Sequence, residues 1–231
     1  MNFFQRVEQK YVLSEKEYKE LFNKIKKHIE KDKYYKSTIC NIYFDNNSNE
    51  LIVNSLEKTL YKEKVRIRSY NTPNIDDAVF LELKGKYNGV VFKRRVKVKL
   101  EDIYNYIESG ITPNVDNKQI MKEIDYVIKR YDLVPKLFLA YDRLSYCDKN
   151  NSNFRITFDT NLRSRKDDLR LELGDSGNLF RKKNFYIMEL KSLSSIPIWF
   201  INILSELKIY PKSFSKYGNI YSKEMEEVLN V

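Results

Sequence analysis

Two stretches of this sequence alternate charged and apolar residues one by one, and that alternation leaves few ways to fold. The first is Lys64-Val65-Arg66-Ile67-Arg68 and the second Phe80-Leu81-Glu82-Leu83-Lys84-Gly85-Lys86. Successive side chains of a strand point to opposite faces. Lys64, Arg66 and Arg68 therefore share one face, with Val65 and Ile67 behind them. Glu82, Lys84 and Lys86 do the same, backed by Leu81 and Leu83. The pattern recurs at Arg6, Glu8 and Lys10, at Tyr141 and Arg143, at Arg155, Thr157 and Asp159, and at Glu189 and Lys191. An antiparallel sheet with one wet face accounts for it. So does a closed sheet whose charged faces look inward onto a polyanion. For the second reading, arginine prevails where a merely wet face could use other polar residues, and arginine binds phosphate in two-pronged fashion. The sparse acids sit beside basic groups, as a metal-assisted phosphate site requires.

Bulk composition narrows the partner. Lys and Arg total 42 and Asp and Glu 32, giving 42 − 32 = +10. An excess of this size calls for an anionic partner: nucleic acid, a membrane surface or polyphosphate. A length of 231 residues allows one sizeable core or two small ones and reads as one domain, 1–231. The two cysteines, Cys40 and Cys147, form no C-x-x-C pair, so neither a zinc site nor a disulfide framework is expected. Both read as buried thiols of a reducing, cytoplasmic compartment. The one histidine, His28, falls in an expected surface helix, which excludes a histidine dyad or cluster by count. Met1 to Lys10 has no apolar core of a signal peptide, and Ile196 to Leu204 is too short to span a bilayer.

The periodicities predict about eight mostly antiparallel strands with amphipathic helices packed outside them, an α+β protein. Gln5 to Leu13 opens as a strand, and Ser14 with Glu17 makes a capping box for a helix reaching the basic stretch Lys31 to Lys36. Strands follow at Thr38 to Phe44, Lys62 to Tyr70, Val79 to Lys86 and Val90 to Lys99, the last two joined by an Asn88-Gly89 hairpin. After helices at Glu101 to Glu108 and Asp116 to Tyr131 come strands at Lys136 to Tyr146, Asn153 to Asp159, Leu169 to Leu173 and Phe185 to Lys191. Pro197 opens a helix in its first turn, and Ser213 to Leu229 closes the chain as another. If the sheet closes into a barrel, its interior carries the charges and the helices cover an apolar outside. Nucleotide-cradling G-x-x-x-x-G-K-[ST] and G-x-G-x-x-G loops are absent, and Gly numbers only 6. A phosphate clamp of side chains remains.

In order along the chain, Arg6-Val7-Glu8-Gln9-Lys10-Tyr11, Tyr43-Phe44-Asp45, Lys64-Val65-Arg66-Ile67-Arg68, Glu82-Leu83-Lys84, Lys93-Arg94-Arg95, Tyr141-Asp142-Arg143, Arg155-Ile156-Thr157-Phe158-Asp159, Glu189-Leu190-Lys191 and Ser215-Lys216-Tyr217 resemble the VTC domain. That family is the polyphosphate polymerase domain among the CYTH-like triphosphate tunnel metalloenzymes, and the resemblance is to its stand-alone bacterial type. Each motif is weak alone; nine in order are specific. The resemblance implies an antiparallel tunnel that holds a triphosphate or polyphosphate. It implies catalytic phosphate contacts from Lys10, Arg66, Arg68, Lys84, Arg143 and Arg155. Substrate contacts are implied for Tyr43 at the nucleotide end and for Lys64, Lys93, Arg95, Lys191, Ser215 and Lys216. Glu189 matches the family's metal-binding glutamate, with Glu8 and Glu82 as further acids for metal or water, and Mn2+ or Mg2+ as the cofactor.

Two departures are informative. The hydrolytic branch opens E-x-E-x-K, and Arg6 replaces its first acid. Polymerases of the eukaryotic complexes carry a basic residue two places before Ser-Lys-Tyr, where this chain has Ser213. The expected activity is transfer of the ATP γ-phosphate to a growing polyphosphate chain. The rivals are a metal-dependent triphosphatase, for which Glu8 and Glu82 could orient water, and a non-catalytic polyphosphate-binding module. A tunnel excludes a nucleic-acid duplex, and the sequence does not decide whether a membrane partner couples synthesis to export.

Overall fold

A computed structural model of the chain describes residues 7–88, 90–180 and 185–229. Arg6 and Gly89, both singled out above, lie outside them. The described residues form nine antiparallel strands in one sheet and six helices, an α+β fold. The strands are β1 (Val7–Ser14), β2 (Ile29–Asp45), β3 (Tyr61–Tyr70), β4 (Ala78–Tyr87), β5 (Val90–Lys99), β6 (Val134–Asp148), β7 (Arg155–Arg165), β8 (Asn178–Leu179) and β9 (Phe185–Ser192). Between and after them lie α1 (Glu15–Ile25), α2 (Glu50–Leu56), α3 (Leu100–Ser109), α4 (Lys118–Arg130), α5 (Ile198–Glu206) and α6 (Lys216–Leu229). Hydrogen bonds order the sheet β1-β9-β7-β6-β2-β3-β4-β5, with the two-residue β8 on β7. Among the described residues no ladder joins β1 to β5, so the expected closure is not made by backbone hydrogen bonds.

The chain gathers into two compact units. The first comprises Met1–Ser37, Tyr141–Leu162 and Leu179–Ser215, the second Thr38–Ala140, Arg163–Asn178 and Lys216–Val231. Each has its own core. In the first, Tyr11, Leu13, Ile156, Phe158, Met188 and Leu190 turn inward from the strands and meet Leu21 and Ile25 of α1 and Phe200 and Leu204 of α5. In the second, Ile42, Val65, Ile67, Leu81, Leu83 and Val96 meet Ile103 of α3 and Met121 and Ile124 of α4. The alternation read from the sequence thus sends every second residue into a core and leaves its charged neighbours on the opposite face.

Local signals account for most boundaries. Ser14 Oγ accepts from Glu17 N at 3.3 Å and Glu17 Oε2 from Ser14 N at 2.7 Å, the anticipated capping box. Buried Asp45 caps α2 from a distance, its two oxygens accepting from Leu51 N and Ile52 N at 2.9 Å each. Tyr87 pairs with Val90 across the hairpin, and Asn88 has φ +44°, the left-handed backbone that a two-residue turn between twisted strands favours.

Several expectations are corrected. Helix α1 stops at Ile25, and Lys31 to Lys36 belong to the 17-residue β2. His28 sits in the turn between them, stacked on Trp199 with centroids 4.4 Å apart. The pattern at Leu169 to Leu173 forms no strand. There, Leu171 N donates to Tyr104 Oη at 2.7 Å, and Arg170 O accepts from Arg165 Nη2 at 2.8 Å, so side chains take the places of a ladder. Strand β7 runs on to Arg165, Pro197 is the N-cap of α5 and not part of its first turn, and α6 begins at Lys216. Cys147 is half-buried, unlike buried Cys40.

Candidate functional site

In the second unit the ladder registers assemble one charged face. Tyr43 lies opposite Arg66, Arg66 opposite Glu82, and Glu82 opposite Arg95. The flanking rows are Asn41, Arg68, Phe80 and Lys97 on one side, and Lys64, Lys84 and Lys93 on the other. Glu82 is the centre, only 1% exposed. Arg66 reaches its Oε2 with Nε at 2.9 Å and Nη2 at 2.8 Å. Lys93 Nζ stands 2.6 Å and Arg95 Nε 3.5 Å from Oε1, with Arg68 Nε 4.0 Å from Oε2.

The cations are themselves held. Arg68 Nε donates to Asn41 Oδ1 at 2.9 Å, and Asn41 Nδ2 to Leu139 O at 3.1 Å. Arg66 Nη1 donates to Tyr43 Oη at 2.9 Å. The Arg95 guanidinium lies 3.2 Å above the Phe80 ring centroid, a cation–π contact. Burial works to raise the Glu82 carboxyl, but Arg66, Arg68 and Lys93 overcome it and hold it at about 2. Burial likewise opposes ionisation of Tyr43, yet Arg66, Arg68 and Lys64 bring its phenol down to about 8. Burial lowers Lys93, against the pull of Glu82. The Tyr43 ring packs 4.9 Å from that of Tyr217, which follows Lys216 at the start of α6. Tyr217 Oη in turn donates to Asp45 at 3.4 Å.

The first unit has a second charged face. Lys10, Glu189 and Thr157 form one row across β1, β9 and β7; Glu8, Lys191 and Arg155 form the next. Lys191 Nζ is 3.1 Å from Glu189 Oε1, and Arg143 Nη2 is 3.9 Å from Oε2. Lys10 Nζ is 3.7 Å from Glu8 Oε1. Arg143, on β6, makes a fork to Asp159, discussed below. Burial disfavours its charge, but Asp159, Tyr141 and Glu189 outweigh that and raise it well above the usual arginine value. Arg155 is half-exposed, its Nη2 3.7 Å from Asp32 Oδ1. Ser215 precedes α6, after exposed Ser213 and Lys212, whose N donates to Lys10 O at 2.8 Å.

Apart from Ser215 and Lys216 at the start of α6, the expected residues thus fall into two clusters: Tyr43, Lys64, Arg66, Arg68, Glu82, Lys84, Lys93 and Arg95 in one unit, and Glu8, Lys10, Arg143, Arg155, Glu189 and Lys191 in the other. Asn41, Phe80, Asp159 and Thr157 were not anticipated as site residues. Strand parity places the last two on the charged face with Arg155, but gives them no role there.

The acids differ in what they suit. Glu82 is hemmed in by four cationic side chains, a donor set that repels a divalent ion. Glu8 and Glu189 share a face with the buried Thr157 hydroxyl, whose Oγ1 has no hydrogen-bond partner among the described residues. Carboxylate and hydroxyl oxygens suit a hard divalent cation, which needs one or two carboxylates when phosphates complete its shell. Among the described residues no three His, Cys, Asp or Glu side chains gather as a metal cluster.

Comparison with known proteins decides the family: the VTC domain matches residues 5–224. The chain belongs to the VTC domain family. No curated protein sequence matches it. Its fold is shared by a candidate adenylate cyclase of Bacillus halodurans, at 15% identity over 91% of this chain and 93% of that one, with a TM-score of 0.57. A candidate adenylyl cyclase of Hippeastrum, described as having a dominant triphosphatase activity, aligns at 14% identity over 95% and 96%, with a TM-score of 0.53. A protein of Pyrococcus horikoshii OT3 aligns at 18% over 94% and 99%, with a TM-score of 0.52. These likenesses establish that this VTC domain shares the fold of those proteins, and its described helices include none long and apolar enough to cross a membrane.

Proposed function

We propose that this VTC domain is a nucleotide-dependent polyphosphate polymerase. The observation that supports it is Glu82 enclosed by Arg66, Arg68, Lys93 and Arg95. Donors that close around one carboxylate are built to meet oxyanions, and the same guanidinium forks serve phosphate. Lys64 and Lys84 extend the row, so the face offers positive charge along a line, which suits a polymer of phosphates.

On this reading a terminal oxygen of the polyphosphate chain attacks the γ-phosphorus of ATP. The bond from that phosphorus to the β–γ bridging oxygen breaks, and ADP leaves with the electron pair. Arg66, Arg68, Lys84 and Lys93 hold non-bridging oxygens, and Arg143, Arg155, Lys191 and Lys10 make a second phosphate-binding face of the same character. Catalysis is positioning and electrostatics, with no protein nucleophile. A divalent cation held by Glu189 and Glu8 would neutralise charge on phosphates held at that second face. Glu82, engaged by cations, orients those cations and is not proposed as a metal ligand.

A triphosphatase is the second reading, favoured by half-exposed Glu8, which can face water, and by the activity described for the Hippeastrum protein. Purified protein given ATP and Mn2+ separates the two. The polymerase releases ADP and leaves an acid-labile polymer on a stained gel; phosphate rising in step with ADP, with no polymer at any time, establishes the hydrolase.

A further inference from the structure

We infer that Thr157 is a positioning residue for Glu189, its hydroxyl donating to that carboxylate when phosphate and a divalent cation occupy the site. The inference rests on the reading above and adds to it a residue to which the motifs assign no role. Thr157 is only 8% exposed, and its Oγ1 has no hydrogen-bond partner among the described residues. Buried hydroxyls are almost always hydrogen-bonded, so an exception asks for an explanation. A valine would fill the same space in a strand without that penalty. The residue directly opposite on the ladder is Glu189, and side chains so paired stand about 4.5–5.5 Å apart at Cβ.

Lys191 stands 3.1 Å and Arg143 3.9 Å from the Glu189 carboxylate. Lys191 is flexible, and an incoming phosphate competes for it. As Lys191 turns to the anion, the Thr157 hydroxyl can replace the donor that Lys191 withdraws. A further cation in that role would repel a divalent ion. The Thr157 hydroxyl donates without adding charge, and it is already in the row. Outer partners of this kind hold a ligating carboxylate in place, and removing one costs about 10- to 100-fold in metal affinity or activity.

The test uses the whole chain with Thr157→Val, which keeps shape and loses the hydroxyl, and Thr157→Ser, which keeps the hydroxyl. Mn2+ is titrated calorimetrically into protein loaded with tripolyphosphate and freed of excess ligand, tripolyphosphate is titrated in metal-free buffer, and ADP release is followed as a function of Mn2+. Thr157→Val should weaken Mn2+ binding and slow turnover by at least about 10-fold, with metal-free tripolyphosphate affinity unchanged and a ligand-free melting temperature no lower than the parent's. Thr157→Ser should stay near the parent protein. The inference is overturned if the parent binds no Mn2+, if the valine variant binds Mn2+ as the parent does, or if both variants are equally impaired. It stands apart from the polymerase reading: weakened Mn2+ binding with no polymer from the parent protein would sustain Thr157 and sink the polymerase. Polymer made equally by parent and valine variant would do the reverse.

Discussion

Arg143 and Asp159 are locked as a two-pronged pair: Nε donates to Oδ1 at 2.6 Å and Nη2 to Oδ2 at 2.7 Å. The carboxylate is fully buried and the arginine side chain 14% exposed. Nη2 also faces Glu189 at 3.9 Å, so Asp159 fixes the angle at which the guanidinium is presented to the charged face. Removing one member of a buried pair leaves the other uncompensated. Asp159→Ala should therefore destabilise the protein by about 3 kcal/mol, measured by urea denaturation. The double variant with Arg143→Ala should lose less than the two single losses combined. Additive losses would mean that the pair has no coupling.

Glu82 makes acid stability testable. Its carboxyl is lowered from the ordinary 4.5 to about 2. A group lowered on folding stabilises fully above its unfolded value, and that contribution is lost as pH falls through the folded value. Stability should fall by about 3 kcal/mol between pH of about 4.5 and 2 on account of this group. The part due to Glu82 should vanish in Glu82→Gln, read from denaturation midpoints at each pH. An unaltered acid limb in that variant would mean the cations do not hold Glu82 ionised.

Arg66→Ala and Arg68→Ala should each lose about 1.5–3 kcal/mol of tripolyphosphate binding, by calorimetry at fixed salt, with the fold retained by circular dichroism. Arg66→Lys should not restore it, because Arg66 engages Glu82 and Tyr43 from different nitrogens of one planar fork. Parent-like affinity in both alanine variants would remove the face from the substrate path.

Tyr43 supplies an optical probe. Its phenol is brought down to about 8, so tyrosinate absorbance should show a step near that pH that Tyr43→Phe abolishes. Because the folded value is lowered, ionisation of this phenol adds stability as pH rises from about 8 toward 10. Bound tripolyphosphate adds negative charge beside Arg66 and should move the step upward. A step that ignores the ligand would place the phosphates elsewhere.

Strand parity made both charged faces legible: Lys64, Arg66, Arg68, Glu82 and Lys84 sit where alternation puts them. It did not reveal which acids are consumed by structure. The grip of Arg143 on Asp159 depends on how β6 lies against β7, and the ring around Glu82 depends on the β3–β4–β5 register. Neither register is written in any one segment. Helical periodicity misled at Lys31 to Lys36, read as the end of the first helix; the stretch is mostly exposed, as expected. It is strand because β2 lies beside β6, with Tyr146 Oη donating to Tyr35 Oη at 3.2 Å. At Leu169 to Leu173 the alternation was real but idle, since Tyr104 and Arg165 took the backbone groups a ladder would have used.

The segment order of the first unit governs how the protein is made. Strand β1 pairs along its whole length with β9, Val7 opposite Ser192 and Ser14 opposite Phe185. A ribosome adds about 5–20 residues per second, so the first strand waits on the order of ten seconds or more for its partner. Meanwhile α1 and β1 have neither Met188 and Leu190 nor Phe200 to cover Tyr11, Leu13 and Leu21. The nascent chain therefore carries an unpaired, half-apolar strand until β9 is made, which favours late folding and a need for chaperone cover. A premature stop anywhere before β9 should leave that strand open to other chains and the product in the insoluble fraction.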